Sequence, residues 1–174
     1  MFMRAIAVAG GLVGAAGLSQ FPEFSQQYVQ RLGGAVDELS RFIAAFDADA
    51  AKFDLDRDAA LADLEQGGRM AAARAESVRR TVARHARLSA DLAVLRQAGP
   101  FTRAYEAGRL GDREIARATW EDFRPALPLT FEGGMFGGAG FLGGLLAIGG
   151  IGAVLRLFWG VLFGRKAARR GKKA

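Results

Sequence analysis

The 174-residue chain carries 24 Lys or Arg against 18 Asp or Glu, 51% apolar residues and no cysteine. That length holds one modest domain plus membrane segments and excludes two independent soluble enzyme domains, while the lack of cysteine excludes a disulfide framework, a thiolate metal site and a cysteine nucleophile. Divided by position, the net charge of +6 becomes −2 over residues 20–132, from 16 basic and 18 acidic residues, and +8 at the two ends.

Residues 1–22 open with Met-Phe-Met-Arg4 and continue as an uncharged stretch of Ala, Gly, Val and Leu. Two readings fit it: a signal peptide with a small-x-small site at Gly17-Leu18-Ser19, or an uncleaved first transmembrane helix. The helix reading has Phe2 and Arg4 snorkelling at one end and Phe21 and Phe24 extending it at the other. From Phe24 the pattern becomes a heptad. Phe24, Tyr28, Leu32, Val36, Leu39, Ile43, Phe46, Ala50 and Phe53 recur at 3.5-residue spacing, the seam of a long amphipathic helix that needs a partner. Asp54-Leu-Asp56-Arg-Asp58 supplies a stop and a new start, because Asp is a good N-cap and acids suit a first helical turn.

The next predicted helix runs to about Gln97, its seam passing through Leu61, Leu64, Gly68, Ala71, Ala75, Val78, Val82, His85, Ser89 and Leu92. A bulky seam facing one that is small in its middle predicts a close antiparallel hairpin over residues 23–98. At 1.5 Å per residue its helices would be roughly 45 and 60 Å long. Gly99-Pro100 ends the second helix, and short juxtamembrane helices fill residues 99–132. The first spans Phe101 to Leu110 and the next Arg113 to about Arg124, before Pro125 and Pro128. Trp120, Phe123 and Phe131 suit either an interfacial aromatic belt or a cap on the hairpin core.

From Gly133 to Leu155 there are 23 consecutive residues without a formal charge, enough for a second transmembrane helix within 133–164. The polybasic tail 165–174 holds Arg165, Lys166, Arg169, Arg170, Lys172 and Lys173. With Arg4 these basics place both termini in the cytoplasm, and they can hold anionic lipid. Arg156 lies nine residues from Arg165 and snorkels to the same headgroups, leaving about Phe136 to Leu157 in lipid. Glycine supplies the packing signal, in Gly10-x-x-x-Gly14, Gly133-x-x-x-Gly137, Gly134-x-x-x-Gly138 and Gly140-x-x-x-Gly144. Small residues let helix backbones approach in a solvent that offers no hydrophobic drive between them.

Chemistry has little to work with. His85 is the only histidine and falls on a helix seam, so a zinc site and a Cys-His dyad are excluded. The glycine-rich segments lack the strand–turn–helix setting of a phosphate loop. Arg74, Arg79, Arg80, Arg84 and Arg87 form a solvated face of the second long helix rather than a nucleic-acid patch. No catalytic residue, cofactor, metal ligand or small-molecule substrate is expected.

Two stretches, Gly17-Leu-Ser-Gln-Phe-Pro-Glu-Phe-Ser-Gln-Gln-Tyr28 and Asp122-Phe-Arg-Pro-Ala-Leu-Pro-Leu-Thr-Phe-Glu-Gly133, together with the flanking apolar spans, resemble a family of uncharacterised bacterial membrane proteins classed as a domain of unknown function. The resemblance covers nearly the whole chain. It implies a bacterial inner-membrane protein and carries no functional residues across.

The expectation is therefore an all-α membrane protein in which two transmembrane helices flank a long, coiled-coil-like antiparallel hairpin, placed in the periplasm, and short juxtamembrane helices. The function it suggests is a non-enzymatic integral membrane scaffold or oligomer-forming structural protein. The alternative is an accessory subunit of a larger inner-membrane complex, such as a transporter or respiratory assembly. The partners are membrane lipids and either copies of the chain or that larger complex, with no nucleic acid.

Overall fold

A computed structural model describes residues 2–126 and 129–167, with side chains described for residues 3–126 and 129–159. Among the described residues the chain is all-helical, 86% helix with no strand. Its elements are α1 (Phe2–Leu18), α2 (Phe21–Ala51), α3 (Arg57–Gln66), α4 (Arg69–Gln97), α5 (Pro100–Tyr105), a 3₁₀ turn (Ala107–Leu110), α6 (Arg113–Glu121) and α7 (Phe131–Ala167). They form two compact units, Met1–Glu23 with Pro125–Ala174, and Phe24–Arg124.

The first unit is built on α1 and α7. Two segments of the chain are long and apolar enough to cross a membrane, Met3–Ala51, whose apolar part is α1 near the N-terminus, and Phe131–Trp159. Large apolar side chains point out of the folded unit along both helices, among them Leu12, Val13, Leu142, Leu146, Val154 and Leu157. A helix apolar all round needs either a surrounding core or a lipid solvent. Here the surrounding core is missing, since only 6% of the apolar stretch of α7 is buried. Beside the helices, the Gln20 amide donates to the Ala126 carbonyl at 3.1 Å and accepts the Ala126 N–H at 3.1 Å, and Phe21 packs on Phe136 with ring centroids 5.3 Å apart.

The second unit has two apolar clusters. One joins Tyr28, Val29, Leu32 and Val36 of α2 to Leu88, Leu92 and Leu95 of α4 and Ile115 of α6. The other joins Leu61 of α3 to Ala75 and Val78 of α4, with Phe42 and Phe46 of α2 packed on them. Helix caps follow the local sequence: Asp56 accepts the Ala59 N–H at 2.8 Å and Asp112 accepts the Ile115 N–H at 3.2 Å.

Four local expectations need correction. The helix expected to run unbroken to Gln97 breaks at Gly67-Gly68, where Gly68 has φ +89°. Two consecutive glycines each cost a helix about 1 kcal/mol relative to alanine, and Gly68 takes a backbone conformation that side chains resist. Phe53, the last member of the first seam, lies beyond the end of α2 and is 75% exposed. The first juxtamembrane helix stops at Tyr105 and tightens into the 3₁₀ turn around Gly108. Leu88 and Leu95, outside the expected seam, are buried to 1% and 0% exposure, so α4 presents a wider apolar stripe than a single heptad line.

Candidate functional site

The α1–α7 contact is the most closely packed feature of the first unit. A methyl group built on Gly140 would lie 2.6 Å from the Gly14 carbonyl carbon and 3.0 Å from Leu18 Cβ. One built on Gly144 would lie 2.7 Å from the Gly10 carbonyl carbon and 3.0 Å from Gly11 Cα, and one on Gly14 would lie 3.0 Å from the Gly140 carbonyl carbon. In each of the three cases the nearest atom is a carbonyl oxygen of the opposite helix. The hydrogen that occupies the Cβ direction therefore points at that oxygen, the arrangement of an interhelical Cα–H···O contact. Gly14 and Gly140 do this reciprocally, and Gly144 points at Gly10.

Gly10, Gly14, Gly140 and Gly144 thus meet in one crossing. Gly137 stands at its edge, at ordinary contact distance from Ser19 Cβ (3.6 Å). Gly133 is buried and donates its N–H to Thr130 Oγ1 at 3.1 Å. Gly134 and Gly138 lie on another face, with nothing within 4 Å of a built Cβ, as do Gly143, Gly149 and Gly150. Two further glycines in the contact carry no motif spacing. Gly11 takes the Phe141 ring at 2.8 Å from a built Cβ, and Gly152 takes Met3 Cε at 2.5 Å. Spacing could not have found these, because a glycine that receives a side chain rather than a backbone has no required partner three or four residues away.

Arg4 and Arg156 are both exposed. The side chains of Arg165, Lys166, Arg169, Arg170, Lys172 and Lys173 lie outside the described residues.

In the second unit the charged groups converge on Asp112, whose side chain is 9% exposed. It caps α6, accepts Arg84 Nη2 at 3.1 Å and Arg87 Nη2 at 3.3 Å, and its N–H donates to Tyr28 Oη at 3.2 Å. Arg84 also pairs with Glu114 at 2.6 Å. Burial pushes the Tyr28 hydroxyl above its ordinary value, opposed by the Asp112 backbone hydrogen bond. A cavity of about 560 Å³ opens beside this network, lined by Arg84, Arg87, Asp91, Asp112, Arg113 and Glu114. Because the acids there are matched by arginines, the arrangement ties α2, α4 and α6 together.

His85 Nε2 lies 2.8 Å from Ser40 Oγ and 3.3 Å from Ser89 Oγ. A nucleophilic serine needs a base that is itself oriented by a third group. Among the described residues no side chain bonds the second ring nitrogen of His85, so the trio is a polar link between α2 and α4. Trp120 stacks on Phe123 with centroids 6.2 Å apart, and Phe24 meets both rings edge-on.

A family model described as "Protein of unknown function (DUF2937)" matches residues 1–160. No curated protein and no solved structure matches the chain.

Proposed function

The chain belongs to the DUF2937 family, whose description assigns no activity, and from the α1–α7 crossing we propose that it is a non-enzymatic integral membrane scaffold that assembles into oligomers. The carrying observation is that Gly10, Gly14, Gly140 and Gly144 bring the two apolar helices into backbone contact, leaving Gly134, Gly138 and Gly149 of α7 open to a second helix. In lipid, association rests on such close packing and on interhelical hydrogen bonds. The same chain therefore has one glycine face for folding and another for assembly.

Outside the bilayer, α2 and α4 form an antiparallel, coiled-coil-like hairpin. Its support is the pairing of residues 28–36 with 88–95 in one cluster and of Phe42 and Phe46 with Ala75 and Val78 in the other. Basic residues at both ends of the chain favour cytoplasmic termini, with residues 24–124 in the periplasm of a bacterial inner membrane. The test is the native mass of the full chain purified in a mild detergent. Several copies of this chain alone are expected. A single copy contradicts self-assembly, and stoichiometric co-purification with a larger membrane complex replaces the scaffold by an accessory subunit.

A further inference from the structure

The α2–α3 corner differs in charge from the rest of its unit. Residues 46–65 carry six aspartates and one glutamate against one lysine and one arginine, a net −5, while the remainder of Phe24–Arg124 has 14 basic and 9 acidic residues, a net +5. Both corner cations are already held by neighbours. Lys52 Nζ lies 2.7 Å from Asp49 Oδ1, and Arg57 makes a two-pronged contact with Asp47 at 2.7 and 2.5 Å. Asp56 is occupied as the α3 cap and Glu65 by Arg79. The side chains of Asp54, Asp58 and Asp63 make no hydrogen bond or ion pair among the described residues, and Asp58 lies in the field of Arg57 and Arg79.

An apolar groove lies at this corner. Phe46, Phe53, Leu55 and Leu64 line it, with Asp49 and Asp63 in its walls, and its volume is about 400 Å³, within the roughly 300–1,000 Å³ of ligand pockets. Phe53, 75% exposed, stands at its mouth. The corner is held open by the backbone: Leu55 N–H reaches back to the Ala50 carbonyl at 3.2 Å and Asp54 takes φ +56°. This is the helix stop at which glycine is the usual residue. An acid instead occupies a position where a side chain is disfavoured, and that adds one more charge beside the groove.

We propose that this groove docks a cationic amphipathic helix of another protein, its apolar face seated on Phe53 and Leu64 and its lysines or arginines against Asp54, Asp58 and Asp63. Charge complementarity selects that occupant. An acidic rim repels an anionic membrane surface, and the corner of a second copy carries the same sign. Helix-in-groove recognition supplies the apolar anchors, and the surrounding field speeds encounter and gives a salt dependence. The proposal goes beyond the scaffold reading and does not depend on how many copies assemble.

The test uses the full chain in phosphatidylcholine nanodiscs and a fluorescent 18-residue Leu/Lys amphipathic peptide, with empty nanodiscs subtracted. The native chain is expected to bind the Leu/Lys peptide and to bind a Leu/Glu peptide at least tenfold more weakly. Phe53→Ser and the triple variant Asp54→Asn/Asp58→Asn/Asp63→Asn are each expected to weaken binding at least tenfold. Asp37→Asn/Glu38→Gln/Glu121→Gln, which removes the same charge elsewhere in the unit, is expected to stay within twofold. The proposal is overturned if the native chain does not bind the Leu/Lys peptide, if the corner variants bind as the native chain does, or if the Leu/Glu peptide binds equally well. Phosphatidylserine vesicles held through Phe53, or a complex whose number of copies falls on Phe53→Ser, would assign the groove to lipid or to self-association instead. Nanodisc incorporation and native mass report on the scaffold reading separately, since no corner substitution alters the spans.

Discussion

Adding one methyl group at the α1–α7 crossing should loosen it, and the same change one turn away should not. At Gly140 a built Cβ lies 2.6 Å from the Gly14 carbonyl carbon, whereas ordinary contact begins at 3.4 Å, so in Gly140→Ala clearing that carbon requires the helices to separate by about 0.8 Å, the difference, and clearing the nearer Gly14 carbonyl oxygen requires more. A gap of roughly 0.5–1 Å forfeits a quarter to a half of each dispersion contact along the seam, and the reciprocal Cα–H···O contacts, worth about 0.5–1 kcal/mol each, are lost with it. The expected cost is about 1–3 kcal/mol, the range of overpacking in a rigid core. Gly143→Ala, three residues further along α7 and outside the assembly face, meets nothing within 4 Å and gains helix propensity, so it should be neutral or mildly stabilising. Because the chain contains no cysteine, Val8→Cys/Val154→Cys takes a donor and an acceptor dye, and energy transfer across an SDS titration from dodecylmaltoside reads helix association. Equal midpoints for the two alanine variants would refute the account of the crossing.

Other expectations test the second unit. Asp54→Gly should raise stability by up to about 1 kcal/mol, because glycine relieves the left-handed conformation at the end of α2, and Asp56→Ala should lower it by about 1 kcal/mol through loss of the α3 cap. Both are read as shifts in the thermal transition by circular dichroism. Tyr28→Phe leaves the Asp112 N–H without its acceptor and should cost about 1–3 kcal/mol. The Tyr28 hydroxyl is raised by burial above its ordinary 10.0. Its contribution is therefore fully present below pH 10.0 and is lost as pH rises through the folded value, so the native chain should lose more stability than Tyr28→Phe in that alkaline range. At the acid end, hydrogen bonds from Arg57 and Arg79 hold Asp47 and Glu65 below their ordinary values. Their contribution is present above the usual carboxylate range and is lost as pH falls below it, an effect kept small by the exposure of both pairs.

The parts of the fold visible in the sequence are those set by local pattern. Apolar length marks the two candidate spans, and Asp56 and Asp112 mark the starts of α3 and α6 because an N-cap is a bond within one turn. The break at Gly67-Gly68 can be weighed only as propensity against periodicity, and the periodicity misleads: Leu61 and Ala75 stay two heptads apart across the interruption and fall in one apolar cluster. Phe53 shows the opposite failure. It continues the seam arithmetically but lies past the end of α2 at Ala51, in the turn that leads into Asp54, and stays exposed. Among the site residues, the spacing of Gly10, Gly14, Gly140 and Gly144 is visible, yet four-residue spacing also describes Gly134 and Gly138, which meet nothing. Which glycine face is used depends on the rotation of α7 about its axis, a tertiary property. Asp112 was legible as a cap, but not as the acceptor for two arginines from α4, because those residues lie 25 and 28 positions away.

The proposed scaffold requires lipid to take both ends of the chain and the middle to cross to the other side. Alkaline phosphatase, which is active only after export, can be fused within residues 60–95 and, separately, after residue 174 in a bacterial host. Activity is expected from the internal fusion alone. An inactive internal fusion that is nevertheless expressed at full length would place the Phe24–Arg124 unit in the cytoplasm and contradict the account.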